Sequence, residues 1–516
     1  MPALYEQFDS LGEMLRDSAR RLKDKPAVIF QQAPFSYARI ESFSNQISCF
    51  LRKKGIDKGD RIGLYCINSP WFVAAYFGIL KTGATAVPIN LLLSPEEIQY
   101  ILSDSEAAGL IYFEGFEKNI AQIRDSLPNL RFLITAGKPG IPESTALAEI
   151  LETEPAECEI LKLNQKEDVA AILYTSGTTG APKGAMLTHR NLLFNVNSVL
   201  QILQVDENDV FLTVLPLFHA FGATAGMITP LAAGAAIAAV PKFTAGDVAQ
   251  VIRETKSTIF LGVPSMYKLF AGLPDERIPD FRSLRFGISG GDAMPAGILK
   301  QFEEKFGVLI YEGDGPTECS PVTAVNPIGG KRKLCSIGKA LPGVEMKIVD
   351  DNGSELKNGE IGEIAVRGEN VMKGYFRRPE ETKESFFGEW FRTGDLGYRD
   401  DEDYFYIVDR KKDMIIVSGM NVYPRMLENV ICRHPSVAEA AVVPEPHPLH
   451  GEVPRAVIVL KPGASAARKE LLHFCSEHLG RHEIPRIIEI VEELPKTPTG
   501  KVLKRLLKSG KQRFYD

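Results

Sequence analysis

A loop rich in glycine and hydroxyl residues is the part of the sequence best suited to hold phosphate. Its sequence is YTSGTTGAPKG over residues 174–184, and it follows an apolar stretch at residues 169–173. Glycine lets a backbone approach an anion closely, hydroxyl groups donate to phosphate oxygens, and lysine neutralises their charge. Lys183 is followed by Gly184 rather than Ser or Thr, which excludes a Walker A loop. We therefore predict a phosphate site formed by Thr175, Ser176, Gly177, Thr178, Thr179 and Lys183.

Further motifs follow this loop in order along the chain. They are PLFHAFG at 216–222, SGGDAMP at 289–295, EGDGPTECSP at 312–321, SIGKALPG at 336–343, WFRTGDLGY at 390–398, DRKKDMIIVSGMNVYP at 409–424 and PKTPTGKVLKR at 495–505. With the first loop, the series resembles the motifs of the adenylate-forming superfamily, which includes acyl-CoA synthetases, aryl-CoA ligases, luciferases and peptide-synthetase adenylation domains. The resemblance extends over essentially the whole chain, and so many ordered motifs do not arise by coincidence.

This resemblance implies an enzyme with a two-step reaction. A carboxylate attacks the α-phosphate of ATP and releases pyrophosphate, and the thiolate of CoA then displaces AMP from the acyl-adenylate. Because a carboxylate and a triphosphate repel each other, the site needs cations and hydrogen-bond donors directed at the transition state. We therefore expect the enzyme to use ATP, CoA and Mg²⁺ together with a carboxylic acid.

The resemblance also assigns catalytic and nucleotide-binding roles to individual residues. Thr317 would contact the α-phosphate and Glu318 would bind Mg²⁺, for which carboxylate oxygen is a natural ligand. Lys501 matches the mobile lysine that bridges the carboxylate and the α-phosphate during adenylation. Asp395 would accept hydrogen bonds from the ribose hydroxyls, and Arg410 would hold the ribose or a phosphate from the other side. Without the motifs, a turn residue and surface cations would be the simpler interpretations.

One position departs from the family pattern. Asp314 stands where the family commonly has an aromatic residue that stacks on adenine, and a carboxylate cannot stack in that way. Our hypothesis is that the backbone of Gly290, Gly291 and Gly313 holds the adenine, while Asp314 accepts a hydrogen bond from its exocyclic amine. Glu312 completes the predicted nucleotide site.

The resemblance predicts a hinge and a CoA-binding loop in the last part of the chain. Lys412 matches the hinge residue about which the family's C-terminal domain rotates, and it also belongs to the predicted ATP site. Hinges absorb large changes of φ and ψ at a few residues. The rotation would present a loop to the pantetheine of CoA, and that loop consists of Ser418, Gly419, Met420 and Asn421.

Three residues would form the wall and gate of the acyl pocket, namely Phe218, His219 and Phe221. His219 is also a candidate catalytic residue, with a buried core histidine as the alternative. Lateral space and apolar lining for an acyl chain would come from Gly222, Gly315, Gly338, Pro321 and Val322. A deep apolar pocket favours a medium-chain or long-chain fatty acid. The alternatives are an aryl-CoA ligase of the coumarate or benzoate type, and an adenylation enzyme that loads a carrier protein.

The elements that carry these motifs predict an α/β protein. Short apolar runs bounded by Gly and Pro alternate with helical patterns in the first part of the chain, which indicates two doubly wound sheets. After about residue 335, short strands separated by turn residues such as Gly394-Asp395 indicate an antiparallel β subdomain. A run of charge at 409–413 is the predicted hinge. It separates a large N-terminal adenylation domain, 1–410, from a small mobile α+β domain, 411–516.

Composition excludes several other classes of protein. The 516 residues include 60 Lys+Arg and 66 Asp+Glu, and the resulting net charge of −6 argues against nucleic-acid binding. Seven scattered cysteines without a CxxC pair favour a reducing compartment, so we expect a cytoplasmic protein. We expect it to be a monomer or a homodimer. The uncharged residues 221–240 could span a bilayer, but Pro230 and many Ala and Gly residues favour a buried helix followed by a strand. The basic, amphipathic segment 501–513 is compatible with peripheral membrane contact.

Overall fold

A computed structural model describes residues 3–175, 181–496 and 502–508. The predicted residues Ser176, Gly177, Thr178, Thr179 and Lys501 lie outside these ranges. The chain divides into two units, Met1–Met346 with Val366–Phe391, and Lys347–Ala365 with Arg392–Asp516. This division groups residues 347–365 and 392–410 with the C-terminal residues, whereas the sequence analysis placed the boundary after residue 410. The hinge at Lys412 stays a prediction.

Two largely parallel sheets form the centre of the first unit, as the alternation of strands and helices predicts. The strands of one sheet are, in spatial order, Lys339–Ala340, Ala324–Val325, Ile310–Asp314, Phe286–Ser289, Ile259–Gly262, Val210–Thr213, Ala236–Ala239, Pro26–Phe30 and Ala33–Ser36. Those of the other are Gly374–Tyr375, Lys183–Thr188, Val169–Thr175, Thr85–Pro88, Arg61–Tyr65, Gly109–Phe113, Phe132–Ala136 and Ser144–Ala146. Antiparallel pairs lie at the edges, for example between Gly374–Tyr375 and Lys183–Thr188. The predicted α/β fold class is confirmed.

Helices connect and cover these sheets. Their bounds are Leu4–Gln7, Leu11–Leu22, Tyr37–Lys53, Pro70–Lys81, Pro95–Asp104, Glu117–Ile123, Leu147–Thr153, His189–Leu203, Ala220–Ala223, Thr229–Ala233, Ala245–Thr255, Pro264–Ala271, Ala296–Phe306 and Pro379–Glu384. Shorter 3₁₀ turns are Arg124–Ser126, Asp275–Phe281 and Thr317–Cys319. Local capping fixes several helix starts, because side-chain oxygens satisfy backbone N–H groups that have no partner within the helix. Ser94, for example, accepts from the Glu97 N–H at 3.3 Å, and Glu97 accepts from the Ser94 N–H at 2.9 Å.

The uncharged segment at 221–240 is an internal part of the first unit. Helix Ala220–Ala223 continues through a π-helical turn, Thr224–Ile228, into Thr229–Ala233, and the strand Ala236–Ala239 follows. Met227, Ile228 and Leu231 are fully buried. The predicted buried helix and strand are confirmed. None of the helices in the described ranges is long and apolar enough to cross a membrane.

Two further sheets contain the later strands of the chain. One has the order Glu345–Val349, Gly362–Arg367, Trp390–Arg399 and Phe386–Phe387, with Phe405–Arg410 antiparallel to Trp390–Arg399. Gly394 and Asp395 lie within that long strand, so the turn predicted there is wrong. Gly394 has φ +74°, which a glycine accommodates without ending the strand.

The last sheet is mixed, as expected of an α+β unit. Its strands are, in order, Met420–Val422, Ile415–Val417, Gly451–Leu460 and Val437–His447, with Ile487–Val491 parallel to Gly451–Leu460. The helices Pro424–Ile431, Arg468–His478 and Lys504–Lys508 accompany it, and Lys411–Asp413 forms a 3₁₀ turn. Leu427, Ile431, Ala456 and Leu471 belong to its buried core.

Candidate active site

The predicted adenine-binding residues lie at the ends of two neighbouring parallel strands, Phe286–Ser289 and Ile310–Asp314. Ser289 lies opposite Glu312 in the register of these parallel strands, so the carboxyl ends of both strands lie at the same edge of the sheet. A Cβ atom on Gly290 would lie 3.1 Å from the Phe221 ring and 3.3 Å from the Gly313 carbonyl oxygen. The structure therefore places Phe221, a predicted acyl-pocket residue, against the glycines predicted to hold adenine.

Glu312 and Asp314 hold the chain that follows them. The buried Glu312 accepts a hydrogen bond through Oε1 from the Cys335 N–H at 2.9 Å. The carbonyl oxygen of Asp314 accepts from both the N–H and the hydroxyl of Thr323, at 2.9 and 3.1 Å. These bonds fix segments 323–335 against the strand, while nucleotide contacts by the two side chains stay predictions.

Glu318 lies among side chains of the other large sheet. Its Oε1 accepts hydrogen bonds from the Thr175 hydroxyl at 3.3 Å and the Tyr375 hydroxyl at 2.9 Å. Lys183 Nζ lies 5.3 Å from the centre of the Tyr375 ring, a cation–π distance. Thus the structure brings Glu318 to Thr175 and Lys183 of the phosphate loop, which lie far from it along the chain.

Tyr375 is a site residue that the sequence analysis missed. It lies outside the motifs, and strand pairing opposite Ala185 brings it beside the end of the phosphate loop. Burial, and next the negative charge of Glu318, raise the pKa of Tyr375 well above its usual value. The phenol therefore stays protonated and donates to Glu318.

Backbone contacts also fix the turn that carries Thr317 and Glu318. The Glu318 carbonyl oxygen accepts from the Met372 N–H at 2.7 Å. The Cys319 carbonyl accepts from the side-chain amide of the buried Asn370 at 3.0 Å. Segment 370–375 therefore holds both the backbone and the carboxylate of Glu318.

The glycines assigned to the acyl pocket do not provide the lateral space expected of them. A Cβ on Gly315 would lie 1.5 Å from the Pro321 carbonyl oxygen, and one on Gly222 would lie 2.2 Å from that of Pro216. A Cβ on Gly338 would lie 2.0 Å from the Val325 carbonyl carbon. The absence of a side chain at these glycines permits close approach of backbone segments and leaves no room for a ligand. The expectation that they give lateral space for an acyl chain is therefore wrong. Contact of the acyl chain with this region stays a prediction.

His219 caps a helix at an exposed position. Its Nδ1 accepts a hydrogen bond from the Phe221 N–H at 3.3 Å, at the start of Ala220–Ala223. The alternative of a buried core histidine is wrong. Phe218 is half-buried beside it, and the backbone of Val322 is held by the Asn195 side chain, with a bond of 2.7 Å to the Val322 carbonyl oxygen. The wall and gate roles remain predictions.

The two predicted ribose-binding residues lie opposite each other in the second unit. Asp395 and Arg410 are partners in the antiparallel register, and Arg410 Nε lies 3.1 Å from Asp395 Oδ1. The Asp395 side chain is 8% exposed and that of Arg410 is 49% exposed. A guanidinium beside a buried carboxylate forms a polar pair that can exchange partners with sugar hydroxyls.

The predicted hinge and CoA loop are two turns of the second unit. Lys412 lies in the Lys411–Asp413 turn, and burial, followed by the charge of Arg410, lowers its pKa. Asp413 is held by Lys508 Nζ at 2.8 Å. Ser418 and Gly419 connect two strands with φ of +50° and +82°, a left-handed turn. These geometries are compatible with the predicted roles and do not test them.

The sequence of this chain matches known family models. Residues 15–376 match the AMP-binding enzyme model, and residues 426–501 match the AMP-binding enzyme C-terminal domain. The chain belongs to the AMP-binding enzyme family. A long-chain-fatty-acid–CoA ligase of Bacillus subtilis (strain 168) is 36% identical to this AMP-binding enzyme over 526 residues, covering 96% of this chain and 94% of the relative.

Solved structures of other AMP-binding enzymes have the same fold. The anthranilate CoA ligase AuaEII in complex with anthranoyl-AMP has a TM-score of 0.90 and 32% identity, covering 96% of each chain. ATP-bound MatB from Rhodopseudomonas palustris has a TM-score of 0.91 and 30% identity, covering 98% of this chain and 100% of MatB. This AMP-binding enzyme is an acid–thiol ligase, and ATP and CoA are co-substrates of its class.

Proposed function

We propose that this AMP-binding enzyme is a fatty-acyl-CoA synthetase. It converts a medium-chain or long-chain fatty acid, ATP and CoA into acyl-CoA, AMP and pyrophosphate through an acyl-adenylate. The main support is the 36% identity, over 96% of this chain, to a long-chain-fatty-acid–CoA ligase. The apolar Phe221 beside Gly290 also supports an apolar acyl group next to the nucleotide.

In the proposed adenylation step, the first unit binds the triphosphate. Lys183 supplies positive charge, and Thr317 supplies a hydroxyl donor that holds a phosphate oxygen in place. The Thr175 hydroxyl would donate to a phosphate only by leaving Glu318, since it has a single proton. These groups reduce the repulsion between the incoming carboxylate and the α-phosphate, and they stabilise the charge that develops in the transition state. Lys501 would add a mobile cation that bridges the two reactants.

The Glu318 carboxylate fits a magnesium ion. Both neighbouring hydroxyls bond to Oε1, and they fix the carboxylate while leaving it acceptor capacity for further bonds. Mg²⁺ is usually bound by one or two carboxylates together with substrate phosphates. When bound, the ion would neutralise phosphate charge, and the role of Tyr375 is to hold Glu318 in the orientation that receives it.

Residues of the second unit have further proposed roles in nucleotide and CoA binding. Asp395 accepts from the ribose hydroxyls and Arg410 donates to the ribose or phosphate. After adenylation, rotation about Lys412 would replace Lys501 with the loop at 418–421, which receives the pantetheine. The CoA thiolate then attacks the acyl carbonyl and AMP leaves.

We also propose a cytoplasmic location, for which the cysteines are the support. The seven are scattered along the chain without a CxxC pair, which is typical of a reducing compartment.

Aryl-CoA ligase is the second candidate function. The observation that favours it is the similarity to an anthranilate CoA ligase at a TM-score of 0.90. An aryl acid would need a shorter and wider pocket than a fatty acid, and the chain-length dependence of activity separates the two.

A pyrophosphate-release screen tests the proposal. Fatty acids of increasing length and a matched series of benzoates and cinnamates are each supplied with ATP and Mg²⁺, with and without CoA. We expect release to be greatest with fatty acids and to be accompanied by thioester when CoA is present. Preference for aryl acids would favour the second candidate, and strong release that yields no thioester would favour loading of a carrier protein.

A further inference from the structure

A tight turn of the second unit lies against the proposed CoA loop. The strands Val437–His447 and Gly451–Leu460 form a hairpin in which His447 pairs with Gly451. Gly451 also pairs with Val417, the last residue of the strand before the loop. The hairpin turn at 448–450 and the loop at 418–419 therefore leave the sheet side by side.

Two hydrogen bonds join these turns through the same pair of residues. The Ser418 N–H donates to the His450 carbonyl oxygen at 2.9 Å, and the Ser418 hydroxyl is hydrogen-bonded to His450 Nδ1 at 2.7 Å. Ser418 has φ +50°, a left-handed conformation that a non-glycine residue adopts only where its surroundings favour it. His450 supplies both bonds that stabilise this conformation from the side of the hairpin.

The imidazole of His450 is itself oriented. Its ring stacks on that of His447, with 4.8 Å between ring centres and 30° between ring planes. His447 is fixed in turn, because its Nδ1 accepts from the Leu449 N–H at 3.2 Å. After the hairpin turn, Glu452 accepts a hydrogen bond from the Ile416 N–H at 3.1 Å, which ties the hairpin to the strand before the CoA loop. The hairpin turn thus presents a fixed hydrogen-bonding group to Ser418.

This contact lies at the surface of the second unit rather than in its core. The neighbouring Met420 is 46% exposed and Leu449 is 85% exposed. Loss of a contact at such a place changes the conformation of the loop more than the stability of the fold.

We infer that His450 is a positioning residue for the thioester-forming step. It holds the Ser418–Gly419 turn in the left-handed conformation that receives the pantetheine of CoA, and it has no part in adenylation. The inference rests on the proposed function, because it takes the loop at 418–421 to be the CoA-binding loop.

The two half-reactions of the intact enzyme test this role separately. Adenylation is followed by acid-dependent exchange of pyrophosphate into ATP, and thioester formation by supplying a purified fatty acyl-adenylate with varied CoA. We expect His450→Ala to raise KM for CoA about five-fold, the effect of one hydrogen bond, with exchange unchanged. His450→Asn should restore most of the affinity, because its amide can take the place of Nδ1. His473→Ala, which removes an exposed imidazole in the same unit, is the matched control and should change neither reaction.

Coupling between the two residues gives a second measurement. Ser418→Ala should raise KM for CoA to a similar extent, and the double variant should be no worse than either single variant. An unchanged KM in His450→Ala, or an equal loss of exchange and thioester formation, would overturn the inference alone. A wild-type enzyme that makes no acyl-CoA from any acid would instead overturn the proposed function, and the inference with it.

Discussion

The carboxylate of Glu318 is held by a tyrosine that lies 57 residues further along the chain. Tyr375 donates to Oε1 while Thr175 donates to the same atom, so one oxygen is fixed from two sheet strands. A hydrogen bond to a charged group is stronger than one between neutral groups. The orientation of Glu318, and with it the predicted magnesium ligand, therefore depends on Tyr375.

We expect Tyr375→Phe to lower the rate of adenylation about ten-fold, because loss of a hydrogen bond to a carboxylate costs roughly 1.5 kcal/mol. The rate is measured as acid-dependent pyrophosphate exchange at saturating ATP and Mg²⁺. Tyr112→Phe is the matched control, since it removes a comparable tyrosine–serine hydrogen bond of 2.8 Å at another place in the first unit. Equal rates for wild type and Tyr375→Phe would contradict a role for this contact.

Substitution of Lys501 should impair adenylation while leaving thioester formation intact. We expect Lys501→Ala to abolish carboxylate-dependent pyrophosphate release, because this change removes the cation proposed to bridge the carboxylate and the α-phosphate. Thioester formation from supplied acyl-adenylate should persist, since that step does not involve the bridge. Both products are measured by chromatography, and retained adenylation would refute the assignment of Lys501.

At the level of elements, a buried histidine joins two helices of the first unit, Leu11–Leu22 and His189–Leu203. His189 is fully buried at the start of His189–Leu203, and its Nδ1 accepts from the Leu11 N–H at 3.3 Å. Burial lowers the pKa of His189 to about 4, from 6.5. The folded state therefore requires the neutral imidazole, and stability present above pH 6.5 is lost as the pH falls towards 4.

We expect this histidine to contribute about 2 kcal/mol to the loss of unfolding free energy between pH 7 and pH 5. His189→Gln keeps an acceptor for the Leu11 N–H but does not titrate, so its stability should depend less on pH. Urea unfolding at the two pH values measures the difference, with His473→Gln as an exposed control. The same pH dependence in wild type and His189→Gln would show that His189 is not the responsible group.

Elements whose signals are local could be predicted from the sequence. A short apolar run that begins at a glycine marks strand Gly362–Arg367. Ser10 followed three residues later by Glu13 is the sequence signature of a capping box, and helix Leu11–Leu22 begins there, with Ser10 Oγ accepting from the Glu13 N–H at 3.2 Å. The reciprocal bond of such a box is absent at this cap, because Glu13 accepts from the Asp9 N–H rather than from that of Ser10. A helix cap needs only side chains within a few residues of the helix start, so the sequence alone indicates where the helix begins.

Contacts set by the packing of distant segments could not be predicted. Nothing near Tyr375 in the sequence indicates Glu318, since only the pairing of Gly374–Tyr375 with Lys183–Thr188 brings them together. Gly315 suggested space for a ligand, but the Pro321 carbonyl occupies that direction. In a sequence, a glycine that leaves room for a ligand looks the same as a glycine that permits close backbone approach. Only the fold distinguishes the two.

At the scale of the whole molecule, the net charge of −6 conceals local sites of opposite sign. In the first unit Lys183 lies near Tyr375, and in the second unit Arg410 faces Asp395. The class of acid that the enzyme activates is the central proposal, and it can be measured directly.

A competition experiment with the intact enzyme measures it directly. Equimolar octanoate, palmitate, benzoate and cinnamate are incubated together with ATP, Mg²⁺ and limiting CoA, and the thioesters are quantified by mass spectrometry. We expect fatty acyl-CoA to make up nearly all the thioester, with one AMP formed for each acyl-CoA. Predominant benzoyl-CoA or cinnamoyl-CoA, or AMP formation without thioester, would contradict it.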